Sequence, residues 1–162
     1  MKVRAILAAT LLACAFTAFT AFAASPAGAI GPTCGDATGA VVDGTPGDDI
    51  LYGTDGPDVI RGYGGNDTIY AGNGPDQVHG GEGVDTIYGE GCDDTLEGDQ
   101  DHDIVIGLGG TDTLRGDRGD DLLIGDGTDT FDSGPGNDDC WQSSTTAVYV
   151  VIYVYGGNPI AC

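Results

Sequence analysis

A nine-residue repeat runs through the middle of this 162-residue chain and limits what it can fold into more than any other feature. Counted from Gly44, every unit has aspartate in sixth place and a large aliphatic residue in eighth place, and eight of nine units begin with glycine. Nine consecutive matches at two fixed places predict a stacked repeat architecture, in which each unit packs only against its neighbours. The units read GTPGDDILY, GTDGPDVIR, GYGGNDTIY, AGNGPDQVH, GGEGVDTIY, GEGCDDTLE, GDQDHDIVI, GLGGTDTLR and GDRGDDLLI.

Each unit combines a turn with a short strand. Its glycines permit positive φ angles, so the first six residues can turn tightly with their carbonyl groups on one side. The last three residues, such as Thr68, Ile69 and Tyr70, are β-branched or aromatic and alternate outward, inward and outward. Stacked units would bury the eighth-place residues in a continuous core one side chain wide. These residues are Leu51, Ile60, Ile69, Val78, Ile87, Leu96, Val105, Leu114 and Leu123.

The charge and the apolar content of the chain show why a partner for the acids is needed. From Ala24 onward, three arginines face 26 acidic residues, and only 27 of 139 residues are Leu, Ile, Val or Phe. Such a composition is typical of a disordered polyanion. It excludes direct nucleic-acid binding, which needs clustered Lys and Arg. The chain therefore either stays unfolded or has its charge neutralised, and cations are the obvious means.

The sixth-place aspartates are the predicted metal ligands. A turn that presents several carbonyl oxygens and one carboxylate is a hard, anionic, all-oxygen site of the kind that Ca²⁺ prefers. Mg²⁺ retains its waters, and transition metals favour His or Cys, which these turns largely lack. Aspartates that served only as turn formers would not occupy one fixed place without asparagine substitutes. After one deletion the pattern continues twice more, so the candidate ligands are Asp49, Asp58, Asp67, Asp76, Asp85, Asp94, Asp103, Asp112, Asp121, Asp129 and Asp138.

The units closely resemble the GGxGxDxUx nonapeptides of RTX (hemolysin-type) calcium-binding proteins over residues 43–141. The resemblance implies an all-β fold, a parallel β-roll (β-solenoid) of about five 18-residue coils, with two units per coil and strands that alternate between two sheets. It also implies Ca²⁺ between turns stacked on the same edge, up to about nine ions in all. The first row of aspartates would contain Asp49, Asp67, Asp85, Asp103, Asp121 and Asp138, and the second row Asp58, Asp76, Asp94, Asp112 and Asp129.

The two ends of the chain differ from the repeats. Residues 1–23 read as a secretory signal peptide, because Lys2 and Arg4 precede an apolar run that ends in the small-x-small sequence of residues 21–23. Residues 27–29 offer a second cleavage site, and a membrane anchor is the rival interpretation. We expect a secreted, extracellular protein without a transmembrane segment in its mature form. Residues 24–42 would be a linker, and residues 142–162 a C-terminal capping strand and tail.

The mature chain would retain four cysteines, which suggest two disulfides in an oxidising compartment. Three connectivities are possible, and zinc binding is disfavoured because no two cysteines have Cys-x-x-Cys spacing. Cys140 and Cys162 bracket the C-terminal segment and are the preferred pair. The pairing of Cys34 with Cys92 then follows only by elimination.

The ninth-place residues predict two different outer faces. Alternate units place an aromatic and aliphatic series on one sheet, and Arg61, His79, Glu97, Arg115 and Asp132 on the other. An exposed apolar series usually marks a covered surface. A partner protein, a glycan, a second copy or the β-prone residues 147–155 could cover it. The apolar face, which we call the Tyr/Ile face, contains Tyr52, Tyr70, Tyr88, Ile106 and Ile124.

The sequence predicts a calcium-binding structural or interaction module rather than an enzyme. It contains no HExxH or GxSxG motif, and about 20 residues on either side of the repeats are too few for a catalytic domain. One alternative is an adhesion or ice-binding solenoid that calcium stabilises. The other is the non-catalytic repeat part of a larger RTX enzyme or toxin system. His79 and His102 are interpreted as ordinary surface residues.

Overall fold

The computed structural model describes residues 34–35, 37–143 and 159–160, and its regular structure there consists of β-strands alone. Most strands begin at the seventh place of a unit, directly after the conserved aspartate, because the β-branched and aromatic residues are concentrated there. The strands are β1 (Val41–Asp43), β2 (Ile50–Tyr52), β3 (Val59–Gly64), β4 (Thr68–Asn73), β5 (Gln77–Glu82), β6 (Thr86–Gly91), β7 (Thr95–Gln100), β8 (Ile104–Gly109), β9 (Thr113–Arg118), β10 (Leu122–Asp126), β11 (Thr130–Asp132), β12 (Asp139–Ser143) and β13 (Pro159–Ile160).

Successive strands alternate between two sheets, as the resemblance implies. The six-stranded sheet has the order β1-β3-β5-β7-β9-β11, and the seven-stranded sheet has the order β13-β12-β10-β8-β6-β4-β2. All pairs are parallel except β12 and β13. Paired residues such as Ile69 and Ile87 are two units apart, so each turn of the chain stacks on the turn one coil before it. The prediction of an all-β parallel solenoid is confirmed.

The core is the thin column that the repeat predicts. The second residue of each strand from β2 to β10 points inward, and those from Ile60 to Leu123 are at most 1% exposed. Ala71 and Cys140 complete the buried cluster, and Val42 and Phe131 pack against it from the ends. Most strands contribute one large side chain, so no coil has a core of its own and every coil depends on its neighbours.

The ends of the roll contain features outside the predicted repeat. Strand β1 pairs with β3, so the roll extends into residues that were assigned to the linker. A short C-terminal β segment is present as β13, which pairs with β12 through Cys140 and Trp141. The β-prone residues 147–155 and the predicted signal peptide lie outside the described residues. In the described part, no helix is long and apolar enough to cross a membrane.

A disulfide joins Cys34 to Cys92, with the two Cα atoms 5.8 Å apart. It ties the segment before β1 to the turn between β6 and β7. The cysteine positions in the sequence predicted this pair only by elimination. Cys140 is also disulfide-bonded, and Cys162, its predicted partner, lies outside the described residues.

Candidate metal centres

The stacking of the turns brings the sixth-place aspartates into two rows, one on each edge of the roll. From Asp58 to Asp129 they are at most 7% exposed, whereas Asp49 and Asp138 at the ends of the first row are half-buried. From Asp67 onward in both rows, Oδ1 of each aspartate accepts a hydrogen bond from the backbone N–H of the aspartate one coil earlier, and Asp58 Oδ1 accepts one from Ala40. The bond from Asp67 N to Asp85 Oδ1 is 2.8 Å long, and the bond from Asp76 N to Asp94 Oδ1 is 2.9 Å long. Each carboxylate is therefore held in place by the backbone of its neighbour.

The second carboxylate oxygen, Oδ2, has no such partner in the middle of the roll. Seven Oδ2 atoms are buried and make no hydrogen bond. A buried anionic oxygen without a partner costs several kcal/mol, so this pattern requires a cation or a proton. All seven belong to the predicted ligand set: Asp67, Asp76, Asp85, Asp94, Asp103, Asp112 and Asp121.

The first-place glycines leave space beside these oxygens. A Cβ atom built on Gly62 would lie 2.2 Å from Asp67 Oδ2 and 2.3 Å from the carbonyl oxygen of Gly80, in the next coil. A Cβ atom on Gly89 would lie 2.7 Å from both Asp94 Oδ2 and the carbonyl oxygen of Gly107. Thus a carboxylate from one turn and a carbonyl from the adjacent turn flank the same small volume. Glycine is needed at these positions because any side chain would fill this volume, whatever the φ angle of the residue.

Burial has raised the pKa of the aspartates in the middle of the rows. Desolvation is the largest cause and neighbouring aspartates add to it, while the backbone hydrogen bond to Oδ1 acts in the opposite direction. The pKa of Asp85 rises from 3.8 to about 6, that of Asp103 to about 7 and that of Asp94 to about 9. Without a cation, these carboxyls therefore keep their protons up to a higher pH than a free aspartate does.

The turns of the first coil satisfy their aspartates in another way. Oδ2 of Asp49 accepts hydrogen bonds from the backbone N–H (2.6 Å) and the hydroxyl (2.9 Å) of Thr45. Oδ2 of Asp58 accepts the same pair of bonds from Thr54. Near the other end, Asp129 Oδ2 accepts the backbone N–H of Asp126 at 2.6 Å. These three members of the predicted set therefore have protein donors where the central seven have none.

The backbone conformation changes at the same point in the chain. From the third to the ninth turn, the second place has a positive φ, as in Tyr63 (73°), Glu90 (72°) and Leu108 (74°). No residue between 44 and 58 has one. Since a positive φ reverses the direction of a peptide group, the later turns present different backbone atoms to their aspartates than the first two turns do.

A second series of side-chain bonds between coils was not predicted. Fifth-place side chains accept the backbone N–H of the residue one coil later, as Asp48 does from Asn66, and Asp93 from Thr111, both at 2.8 Å. His102 Nδ1 accepts the N–H of Asp120 at 2.7 Å. Asp48, Asp93 and Asp120 all lie outside the predicted ligand set. They are exposed, yet they also join adjacent turns.

Buried carboxylate oxygens without donors, facing carbonyl oxygens of the adjacent turn, are a donor set that fits Ca²⁺. Fold and rows together define a parallel β-solenoid with cation-binding turns on both edges. The chain belongs to the family described as RTX calcium-binding nonapeptide repeat (four copies), which matches residues 43–78, 70–105 and 106–140. No curated protein matches the chain. Its repeats and fold indicate a calcium-binding structural module.

The two outer faces have the contrast that the ninth-place residues predict. On the seven-stranded sheet, Tyr52, Tyr70 and Tyr88 stack in parallel, with ring centroids 5.2 and 4.9 Å apart. Further along this face, Ile106 is buried, whereas 65% of Tyr52 is exposed. The six-stranded sheet presents charged side chains, including the ion pair between Arg115 and Glu97 at 2.7 Å.

Proposed function

We propose that the protein is a secreted, non-catalytic module whose folding is coupled to extracellular calcium. The observation that supports this most directly is the set of seven buried Oδ2 atoms without hydrogen bonds, all at the sixth place of a repeat unit. A fold that buries unpaired carboxylates is unfavourable until cations enter. Calcium binding and folding would then be one linked equilibrium.

The net charge of the chain favours the same coupling. With 26 acidic and five basic side chains, the formal charge is −21, and the metal-free chain repels itself. About nine divalent ions would cancel about 18 of these charges, which would turn repulsion within the rows into attraction. Affinities of about 10⁻⁴–10⁻³ M, usual for extracellular modules, would keep the chain unfolded until export.

We assign the calcium ions to the spaces between adjacent aspartates of a row. The first row has five such spaces and the second row has four, which sets the upper limit of about nine ions. The turns from 62 to 121, which contain the seven unpaired Oδ2 atoms, would bind most tightly. The spaces beside Asp49, Asp58 and Asp129 would bind more weakly, because hydrogen-bond donors already occupy Oδ2 there.

The Tyr/Ile face supports a role in contacts with other molecules. Its tyrosines stack ring on ring, and Tyr52 is largely exposed. Aromatic rings with a polar tip are common in protein and glycan contacts. Calcium would keep this face rigid by fixing the turns at its two edges.

Circular dichroism of the full chain in EDTA, followed by calcium addition, tests the proposal. We expect little β-structure in EDTA and its full recovery with calcium, together with bound calcium measured by equilibrium dialysis. Magnesium at the same concentration should not restore the β-structure, because it resists dehydration. Unchanged β-structure in EDTA would refute the coupling of folding to calcium.

A further inference from the structure

The outer face of the six-stranded sheet carries a group of metal-ligating side chains that differs in chemical type from the two aspartate rows. Nδ1 of His79 lies 3.1 Å from Oε2 of Glu97 and 3.5 Å from Oδ2 of Asp99. One ligand atom from each of the three residues lies within 4.8 Å of the other two. An imidazole nitrogen together with two carboxylates differs from the all-oxygen turns.

The register of the sheet holds the group in place. His79 of β5 is the direct parallel partner of Glu97 of β7, and Asp99 lies opposite Gly81 two residues further on. Because Gly81 has no side chain, Asp99 can turn towards His79. Two of the ligands thus come from one strand and the third from its neighbour, on a sheet that the whole roll stiffens.

The distances fit one small metal ion. Zinc forms bonds of about 2.0–2.2 Å to nitrogen and oxygen, so two ligands in a tetrahedral site lie about 3.3 Å apart. The separations of 3.1 and 3.5 Å from His79 Nδ1 lie on either side of that value. The third separation, between the two carboxylates, is within 4.8 Å, so the side chains would have to adjust to bring all three ligand atoms onto one ion.

The surroundings would stabilise such a site and leave it open. Arg115 donates a 2.7 Å hydrogen bond to Glu97 Oε1, which orients the carboxylate and leaves Oε2 towards His79. Glu97 and Asp99 also line an open cavity of about 620 Å³, together with Tyr63 and Arg118. Solvent could therefore fill the remaining coordination positions.

We propose that His79, Glu97 and Asp99 bind one divalent transition metal ion of the zinc class. The nitrogen donor selects against Ca²⁺ and Mg²⁺, so this site would take a different metal from the one in the turns. The group lies on strands β5 and β7, although Asp99 is close enough to Asp85 of the first row to help raise the pKa of that carboxyl.

Zinc binding to the full chain, produced without a histidine tag and kept in excess calcium, tests the proposal. We expect one equivalent of zinc to remain bound after dialysis, and cobalt to show the visible absorption of a tetrahedral site. The variants H79A and D99N should each weaken zinc binding at least about tenfold. The matched control is H102A, which removes the other histidine and should bind zinc as the unmodified chain does.

Circular dichroism in calcium shows whether each variant is folded, so a failed fold cannot be mistaken for a lost site. The proposal is overturned if folded wild-type protein retains no zinc in excess calcium. It is equally overturned if H79A retains as much zinc as the wild type, which would make the group an ion-pair cluster only. Neither result bears on the calcium proposal, since calcium-dependent folding is measured separately.

Discussion

At the residue scale, each central aspartate has two different oxygens. Oδ1 is fixed by a backbone N–H one coil earlier, and Oδ2 has no protein donor. The repeat predicted that Asp85 and its equivalents would align, because the spacing alone requires it. It could not predict that Thr45 satisfies Asp49, since this depends on the φ angles of one particular turn.

Replacing Asp85 by asparagine tests the central row. Asp85 lies between two spaces of the first row, so we expect D85N to lose about one to two bound calcium ions and to need more calcium to fold. Equilibrium dialysis and a calcium titration followed by circular dichroism measure both effects. The matched control is D132N, which removes an equal charge from an exposed strand position and should retain the full stoichiometry. Equal losses in both variants would mean that general charge, rather than Asp85, controls binding.

A fourth-place glycine offers a second test. Gly83 has a φ of 116°, and a Cβ atom there would lie 2.1 Å from the carbonyl oxygen of Gly65. We expect G83A to lower the free energy of unfolding in calcium by about 1–3 kcal/mol, through strain and the forced separation of two coils. The thermal unfolding of G83A is compared with that of G47A, because a Cβ atom at Gly47 meets nothing within 4 Å. If G47A is destabilised as much as G83A, the stacking contact is not the cause.

At the element scale, the strands are short, and most of the strands from β2 to β10 bury a single large side chain. The period predicted the parallel direction and the inward residues of the repeat strands, because inward positions recur once per unit. It did not predict β1, whose pairing with β3 lies before the first recognisable unit. Nor did it single out the group around His79, which exists only because β5 and β7 are adjacent in the sheet.

The Cys34–Cys92 disulfide should stabilise the N-terminal coils as a group. It closes a loop across a sequence separation of 58 residues and so restricts the unfolded chain. We expect the C34S/C92S double variant to be about 2–4 kcal/mol less stable in calcium, and to need a higher calcium concentration to fold. Thermal unfolding without reductant measures this while the disulfide of Cys140 stays intact. A double variant as stable as the wild type would show that the disulfide does not contribute to the stability of the fold.

At the scale of the whole molecule, the proposed function makes protons and calcium compete for the same carboxylates. Their pKa values are raised in the folded, metal-free chain, so that state binds more protons than the unfolded chain does. The resulting stabilisation is fully present below the ordinary value of 3.8 and is lost as the pH rises through about 6 for Asp76, Asp85 and Asp112.

We therefore expect the metal-free chain to contain more β-structure at about pH 4 than at about pH 8. In saturating calcium the order should reverse, because calcium binds only the deprotonated carboxylates. Circular dichroism at both pH values, with EDTA or calcium, measures the four states. Sodium chloride in each sample screens the repulsion between exposed charges, so the pH effect that remains is due to the buried aspartates. Equal β-structure at both pH values in EDTA would contradict the expectation.

The first coil makes the N-terminal end of the roll different from the rest. Its turns close on Thr45 and Thr54 without a cation, and every later coil hydrogen-bonds to the one before it. A chain that leaves the cell N-terminus first would present this coil before any other. It would then serve as a template on which the remaining coils wind in order, each addition locked by the ions it traps. For a chain exported in this way, each coil that folds around calcium on the outer side could not return. The difference in calcium concentration between the two sides of the membrane would then favour outward movement.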